Sequence, residues 1–317
     1  MNEGEGRVLC VGLCVLDIVN VCESYPEEDS KQRSVEYYWQ RGGNASNSAS
    51  VLAMLGADVE FLGTLEQGQE YGFLRSDFLE CGVHIDNCPV HVEGQYRCPV
   101  STTIINRQNG SRTIIAALNN ISELQIDDFM KVDLKRYKWI HFEGRPGVDR
   151  MYELLNAVHT FNESCSMEKK IVISLELEKI KRPELLSLSG LADYVFISKE
   201  FAMSLGYFTK EDAVENLISH CRKGYMATVI CAWGADGAAA KSGSDKVVVS
   251  AAFPPDEMVD TMGAGDTFNA ATIFALCNCA GLNEAIAFGC KVAGAKCGIR
   301  GYKELKGLKG ANVTVNT

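Results

Sequence analysis

The chain has 317 residues, enough for one large α/β domain or two smaller ones with a substantial buried core. Its 41 acidic against 31 basic side chains leave a formal charge of −10, which argues against nucleic acid or an anionic membrane as the main partner. The 13 cysteines are scattered without a CxxC pair and the five histidines form no ligand pattern, so reduced thiols are expected rather than disulfides or zinc.

Residues 7–16 read as a buried first strand ending near Asp17. The apolar run 8–21 has no basic flank or cleavage site and is interrupted by Asp17, so neither a leader nor a membrane span is expected, and the chain reads as cytoplasmic. Residues 34–40, with Val, Tyr, Tyr and Trp, form a second strand away from the core. Arg41-Gly42-Gly43-Asn44 leads into a helix over 45–55, with Asn44 as N-cap and Gly56 as stop. A strand over 59–65 and a helix over 73–80 follow.

Residues 100–106 and 112–116 flank Gln108-Asn109-Gly110, a hairpin signal. Short buried strands at 139–142, 171–175, 194–197 and 228–231 alternate with helical stretches at 150–161, 183–188 and 211–221. That alternation predicts a parallel sheet covered on both faces. A second hairpin spans 238–251, two long helices cover 264–279 and 282–297, and the tail from Lys303 reads as frayed.

Neither GxGxxG nor GxxxxGK[ST] occurs, so the dinucleotide and P-loop fingerprints are absent. The segment Asp260-Thr-Met-Gly-Ala-Gly-Asp-Thr-Phe-Asn269 instead places Gly263 and Gly265 at the start of an apolar helix. Helix starts expose unpaired N–H groups and attract anions. Asp266 has the wrong charge to bind phosphate, but it suits a base that takes a proton from an attacking hydroxyl. By itself the segment fits a capped glycine turn equally well.

Three other strand–helix junctions carry polar groups. Asp17 needs hydrogen-bond partners, which sugar hydroxyls or a turn would supply. Asn44 and Asn47 follow Gly42-Gly43 and either recognise hydroxyls or belong to a closely packed helix start. Gly234-Ala235-Asp236-Gly237 either brackets a nucleotide or turns the chain. Together the four junctions would lie along one sheet edge, as a site for a polyhydroxylated substrate and a phosphate donor.

Arg41-Gly-Gly-Asn-Ala-Ser-Asn47 and the segment from Asp260 to Asn269 resemble the two signatures of the ribokinase-like (PfkB-type) carbohydrate kinases. Trp39-Gln-Arg-Gly-Gly-Asn44, Gly110-Ser-Arg-Thr-Ile114, Lys138-Trp-Ile-His-Phe-Glu-Gly-Arg145 and Val292-Ala-Gly-Ala-Lys-Cys-Gly298 extend the likeness toward the fructose-phosphorylating members. The resemblance implies an α/β class, three-layer sandwich with a mostly parallel central sheet and a small β-sheet lid. It implies one kinase domain over 1–302, with the lid and dimer clasp at about 18–40 and 98–118, and a flexible tail over 303–317.

It further implies ATP-dependent phosphorylation of fructose at O1, with Mg2+ and possible K+ dependence, by a homodimer joined through its lids. Another sugar or nucleoside kinase, or a non-catalytic sugar binder, is the alternative. Carried over by position, Asp17, Gly43, Asn44, Asn47 and Asp266 hold the sugar, and Asp29 reaches the partner subunit's sugar. Asp266 is the base, with Gly263, Ala264 and Gly265 stabilising the transferred phosphoryl group. Arg112 and the turn Gly234, Ala235, Asp236 and Gly237 hold ATP. The family's Asn-x-x-Glu motif is absent at 198–201, which makes Glu143 the residue that organises the metal through water. After Ile114 the lid lacks the acidic residue usual in the fructose-phosphorylating members.

Overall fold

The computed structural model describes residues 6–221 and 227–310. The chain opens with β1 (Arg7–Val11) and β2 (Val15–Cys22), so the single strand expected over 7–16 is two strands in different sheets. The physical cause is at Leu13, whose N–H turns aside to the Glu143 carboxylate at 3.0 Å instead of extending a ladder. Next come β3 (Glu36–Gly42), α1 (Asn44–Leu55), β4 (Val59–Leu62), β5 (Leu65–Glu66), α2 (Tyr71–Cys81) and β6 (Val90–His91). The Asn-Gly hairpin is present as antiparallel β7 (Val100–Asn106) and β8 (Arg112–Ala117).

A one-turn α3 (Ile126–Phe129) precedes β9 (Tyr137–Glu143), α4 (Val148–Glu163) and β10 (Val172–Leu177). The helix expected near 183 is a 3-10 helix, Pro183–Leu191. It is followed by β11 (Tyr194–Ser198), α5 (Lys199–Ser204), α6 (Lys210–Leu217) and β12 (Thr228–Ala232). The antiparallel pair β13 (Ala238–Ser242) and β14 (Val248–Ser250) leads to α7 (Ala264–Cys277) and α8 (Leu282–Cys297).

The eight-stranded central sheet runs β14-β13-β12-β11-β10-β9-β1-β4 and is parallel from β12 to β4. Alternate side chains enter opposite cores, as strand periodicity requires. Leu9 and Val11 pack with Met151, Leu154 and Phe201 from α4 and α5, while Val8 and Cys10 pack with residues of α1, α2, α7 and α8. The result is a three-layer α/β sandwich. Parallel strands end at a common edge, and that edge carries Glu143, Glu176 and the loop after β12.

A second sheet, β3-β2-β7-β8, stands apart from the first. Its strand β8 is exposed throughout, and Tyr37, Trp39, Ile114 and Ile115 leave an apolar surface. Contrary to the frayed tail expected from Lys303, residues Lys303–Gly310 form a 3-10 helix. Leu305 is buried in the α1-side core and Lys303 bonds Glu80 at 2.7 Å, so this segment has an apolar anchor and an ion pair. Residues 311–317 lie outside the described residues. Among the described residues no helix is long and apolar enough to cross a membrane.

Candidate active site

The start of α7 is held from behind. The Asp260 carboxylate accepts Met262 N–H at 2.9 Å, Lys296 Nζ at 2.6 Å and Gly301 N–H at 3.3 Å. Lys296 is fully buried and also bonds the Asp260 carbonyl at 2.9 Å, so the loop is pinned to the end of α8. Gly263 caps α7 at φ 72°, and a Cβ there would lie 1.8 Å from the Tyr302 hydroxyl. Only glycine meets both demands.

The amides of Gly265 and Asp266 have no backbone acceptor among the described residues, and the space where a Gly265 Cβ would point is open. These groups fit an anion such as a nucleotide phosphate. Asp266, in the first turn, is only 7% exposed and accepts a 2.7 Å hydrogen bond from Asn47 Nδ2. Burial pushes its carboxyl up to about 7; Glu178 and Glu143 push the same way, while the Asn47 bond and Lys179 oppose them.

The start of α1 faces this one. Its N-cap is Gly43 at φ 95°, not Asn44 as expected, because a Cβ there would sit 2.1 Å from the Leu13 carbonyl. Asn44 is the first helical residue, and its Nδ2 donates to Glu176 at 3.0 Å. Glu176 also accepts Asn269 Nδ2 at 2.7 Å, so one buried carboxylate ties α1 and α7 to β10. Burial, with Glu178 and Asp266 adding to it, holds the Glu176 carboxyl well above the usual carboxylate range. Glu176 lies in no motif of the sequence. Its signal was a lone acid in the apolar strand Val172-Ile-Ser-Leu-Glu-Leu177.

Glu143, at the end of β9, is also buried but behaves oppositely. Burial disfavours its charge, yet Lys179 and Arg145 overcome this and pull the carboxyl down to about 2. One oxygen faces Arg145 and Lys179, each at 3.2 Å. The other accepts Leu13 N–H at 3.0 Å and Ala45 N–H at 3.4 Å. Glu143 therefore offers no free oxygen for direct metal ligation. Among the described residues no group of three or more His, Cys, Asp or Glu could hold a metal ion.

The second sheet supplies the remaining groups. Asp17, on β2, accepts a hydrogen bond from Ser101 Oγ and abuts Gly42, next to the α1 cap. Arg112, at the start of β8, donates from Nη1 to Thr261 Oγ1 at 2.7 Å, which brings it to the α7 start. The turn 234–237 follows β12 with Gly234, Ala235 and Asp236 exposed, and Trp233 N–H closes it onto the Gly237 carbonyl at 2.7 Å. Asp29 is different. It lies on an exposed turn beyond the far end of β2, at φ 56°, and no hydrogen bond joins it to this site among the described residues.

A sheet edge that sets an open helix start beside a buried carboxylate suits transfer of an anionic group to a hydroxyl. The chain belongs to the pfkB family: the model described as pfkB family carbohydrate kinase matches residues 5–304. It is 44% identical to the ketohexokinase of Mus musculus over 94% of this chain and 98% of that protein. Its fold matches adenosine kinase from Sinorhizobium meliloti with a TM-score of 0.79, at 22% identity, over 97% of this chain and 98% of that one. It also matches Arabidopsis thaliana ribokinase complexed with ribose and ATP, with a TM-score of 0.74 at 20% identity over 95% of each chain. The chain is a sugar kinase.

Proposed function

We propose that the chain transfers the γ-phosphoryl group of ATP to O1 of fructose, giving fructose 1-phosphate and ADP. The observation that carries this reading is the buried Asp266, held by Asn47 beside the unpaired amides of the α7 start. The likeness to mouse ketohexokinase supplies the choice of sugar. Asp17, Gly43, Asn44 and Asn47 orient the ketose. Asp266 takes the O1 proton as that oxygen attacks phosphorus. The amides of Gly263 and Gly265 receive the charge that grows on the equatorial oxygens, while Ala264 N–H, also expected there, is turned to the Thr261 carbonyl at 3.3 Å. Arg112 and the turn 234–237 hold the nucleotide.

Magnesium, for which no carboxylate cage occurs among the described residues, would be carried by the nucleotide and would supply charge neutralisation. Glu143 reaches it only through water. The apolar surface around Tyr37, Trp39, Ile114 and Ile115 serves as the dimer clasp, and Asp29 reaches the partner subunit's sugar. The protein works in the cytoplasm. A coupled ADP-release assay over a panel of ketoses, aldoses and nucleosides tests the substrate, repeated with potassium replaced by sodium. Preference for ribose or a nucleoside over fructose overturns the reading, and sedimentation tests the dimer.

A further inference from the structure

The end of β10 concentrates charge. Glu143, Glu176, Glu178 and Asp266 stand close enough to influence one another, with Arg145 and Lys179 as the cations among them. The two cations differ in freedom. Arg145 is buried and is also held by Glu123 at 2.6 and 3.3 Å, on the side away from Glu143. Lys179 lies just beyond β10 with a quarter of its side chain exposed, and its Nζ meets Glu143 at 3.2 Å and Glu178 at 3.1 Å. Glu178 is itself 40% exposed, so half of this anchorage is a weak surface pair. Its flexible four-carbon stem lets the ammonium turn toward another anion, which would replace the charge it leaves, without moving the backbone.

A triphosphate at the α7 start brings charge that Arg112 meets from the second sheet only. From the first sheet, Lys179 bonds the Glu143 carboxylate, whose other oxygen takes the Ala45 amide at the α1 start, and Asn47 of that same helix turn bonds Asp266. We propose that Lys179 is a further catalytic residue whose ammonium leaves Glu143 and Glu178 and pairs with the γ-phosphoryl oxygens during transfer. This rests on the kinase reading above. Lysine makes no covalent bond: a P–O bond forms to the sugar O1, the P–O bond to the β-phosphate breaks, and the sugar proton goes to Asp266. Its charge balances what accumulates on the transferring group, and Glu143 keeps Arg145 as its partner meanwhile.

The test compares Lys179→Met and Lys179→Arg with the parent protein by steady-state kinetics, melting temperature and calorimetry with ADP and the β,γ-imido analogue of ATP. For Lys179→Met, kcat is expected to fall about 100-fold while the KM for fructose moves less than about threefold. Affinity for the imido analogue falls about tenfold and that for ADP stays unchanged, because ADP lacks the γ-phosphoryl group. Lys179→Arg, which keeps the charge, restores part of kcat. Equal loss for ADP and the analogue, or kcat within about threefold of the parent, overturns the proposal. A parent protein that phosphorylates another sugar overturns the choice of fructose instead and leaves the nucleotide comparison standing as the test of Lys179.

Discussion

Two helix starts face each other across this site and look alike in sequence, yet they do opposite things. Both α1 and α7 begin after a glycine with positive φ and lack a side-chain cap. At α1 the Glu143 carboxylate takes the Ala45 amide, so the helix holds an anion of its own. At α7 the Asp266 carboxyl, in the first turn, is held by Asn47, and the Gly265 and Asp266 amides have no backbone acceptor among the described residues. An anion site is therefore defined less by a glycine-rich helix start than by whether the rest of the fold already occupies it.

The sharpest way to break this contrast is Asp266→Asn, which should leave the fold and sugar binding intact while turnover falls about 10²- to 10⁴-fold. A near-normal kcat would remove Asp266 as the base. Glu143→Gln tests the other start. It leaves Arg145 and Lys179 without their buried partner, and urea denaturation should show a loss of about 3–5 kcal/mol. The pH dependence has a definite sign. The Glu143 carboxyl lies at about 2, below its usual 4.5, so its stabilisation is present above 4.5 and lost as pH falls toward 2.

Smaller effects sharpen the picture. Arg112→Ala loses a charged contact at the α7 start, and the apparent KM for ATP should rise about tenfold, more than that for fructose. The reverse pattern would move Arg112 to the sugar side. Asp266 sits at about 7 and a base must be ionised, so kcat should fall as pH drops through that value. Because the Asn47 hydrogen bond lowers the Asp266 carboxyl, Asn47→Ala should move this acid limb to higher pH. A limb that stays in place would mean that the bond does not tune the base.

Much of the fold was legible because its signals are local. Apolar runs of strand length, the helical stretches between them, Gly56 as a helix stop and the Asn109-Gly110 hairpin all depend on neighbouring residues. The site was legible where glycine and acid are sequence neighbours, as in Gly263-Ala-Gly-Asp266. It was hidden where partners are far apart in the chain. Glu176 gains its meaning from Asn44 and Asn269, which lie 132 and 93 residues away. The break between β1 and β2 likewise depends on Glu143, 130 residues beyond Leu13.

The alternating architecture and the two glycine-led helix starts follow from local sequence, since backbone preference and hydrophobic period act over a few residues. Which start stays open, and which buried carboxyl is pulled below its usual range and which is pushed above it, is set by long-range packing. Those outcomes depend on burial and on charges brought in from distant segments, and the same side chain takes either state according to what surrounds it.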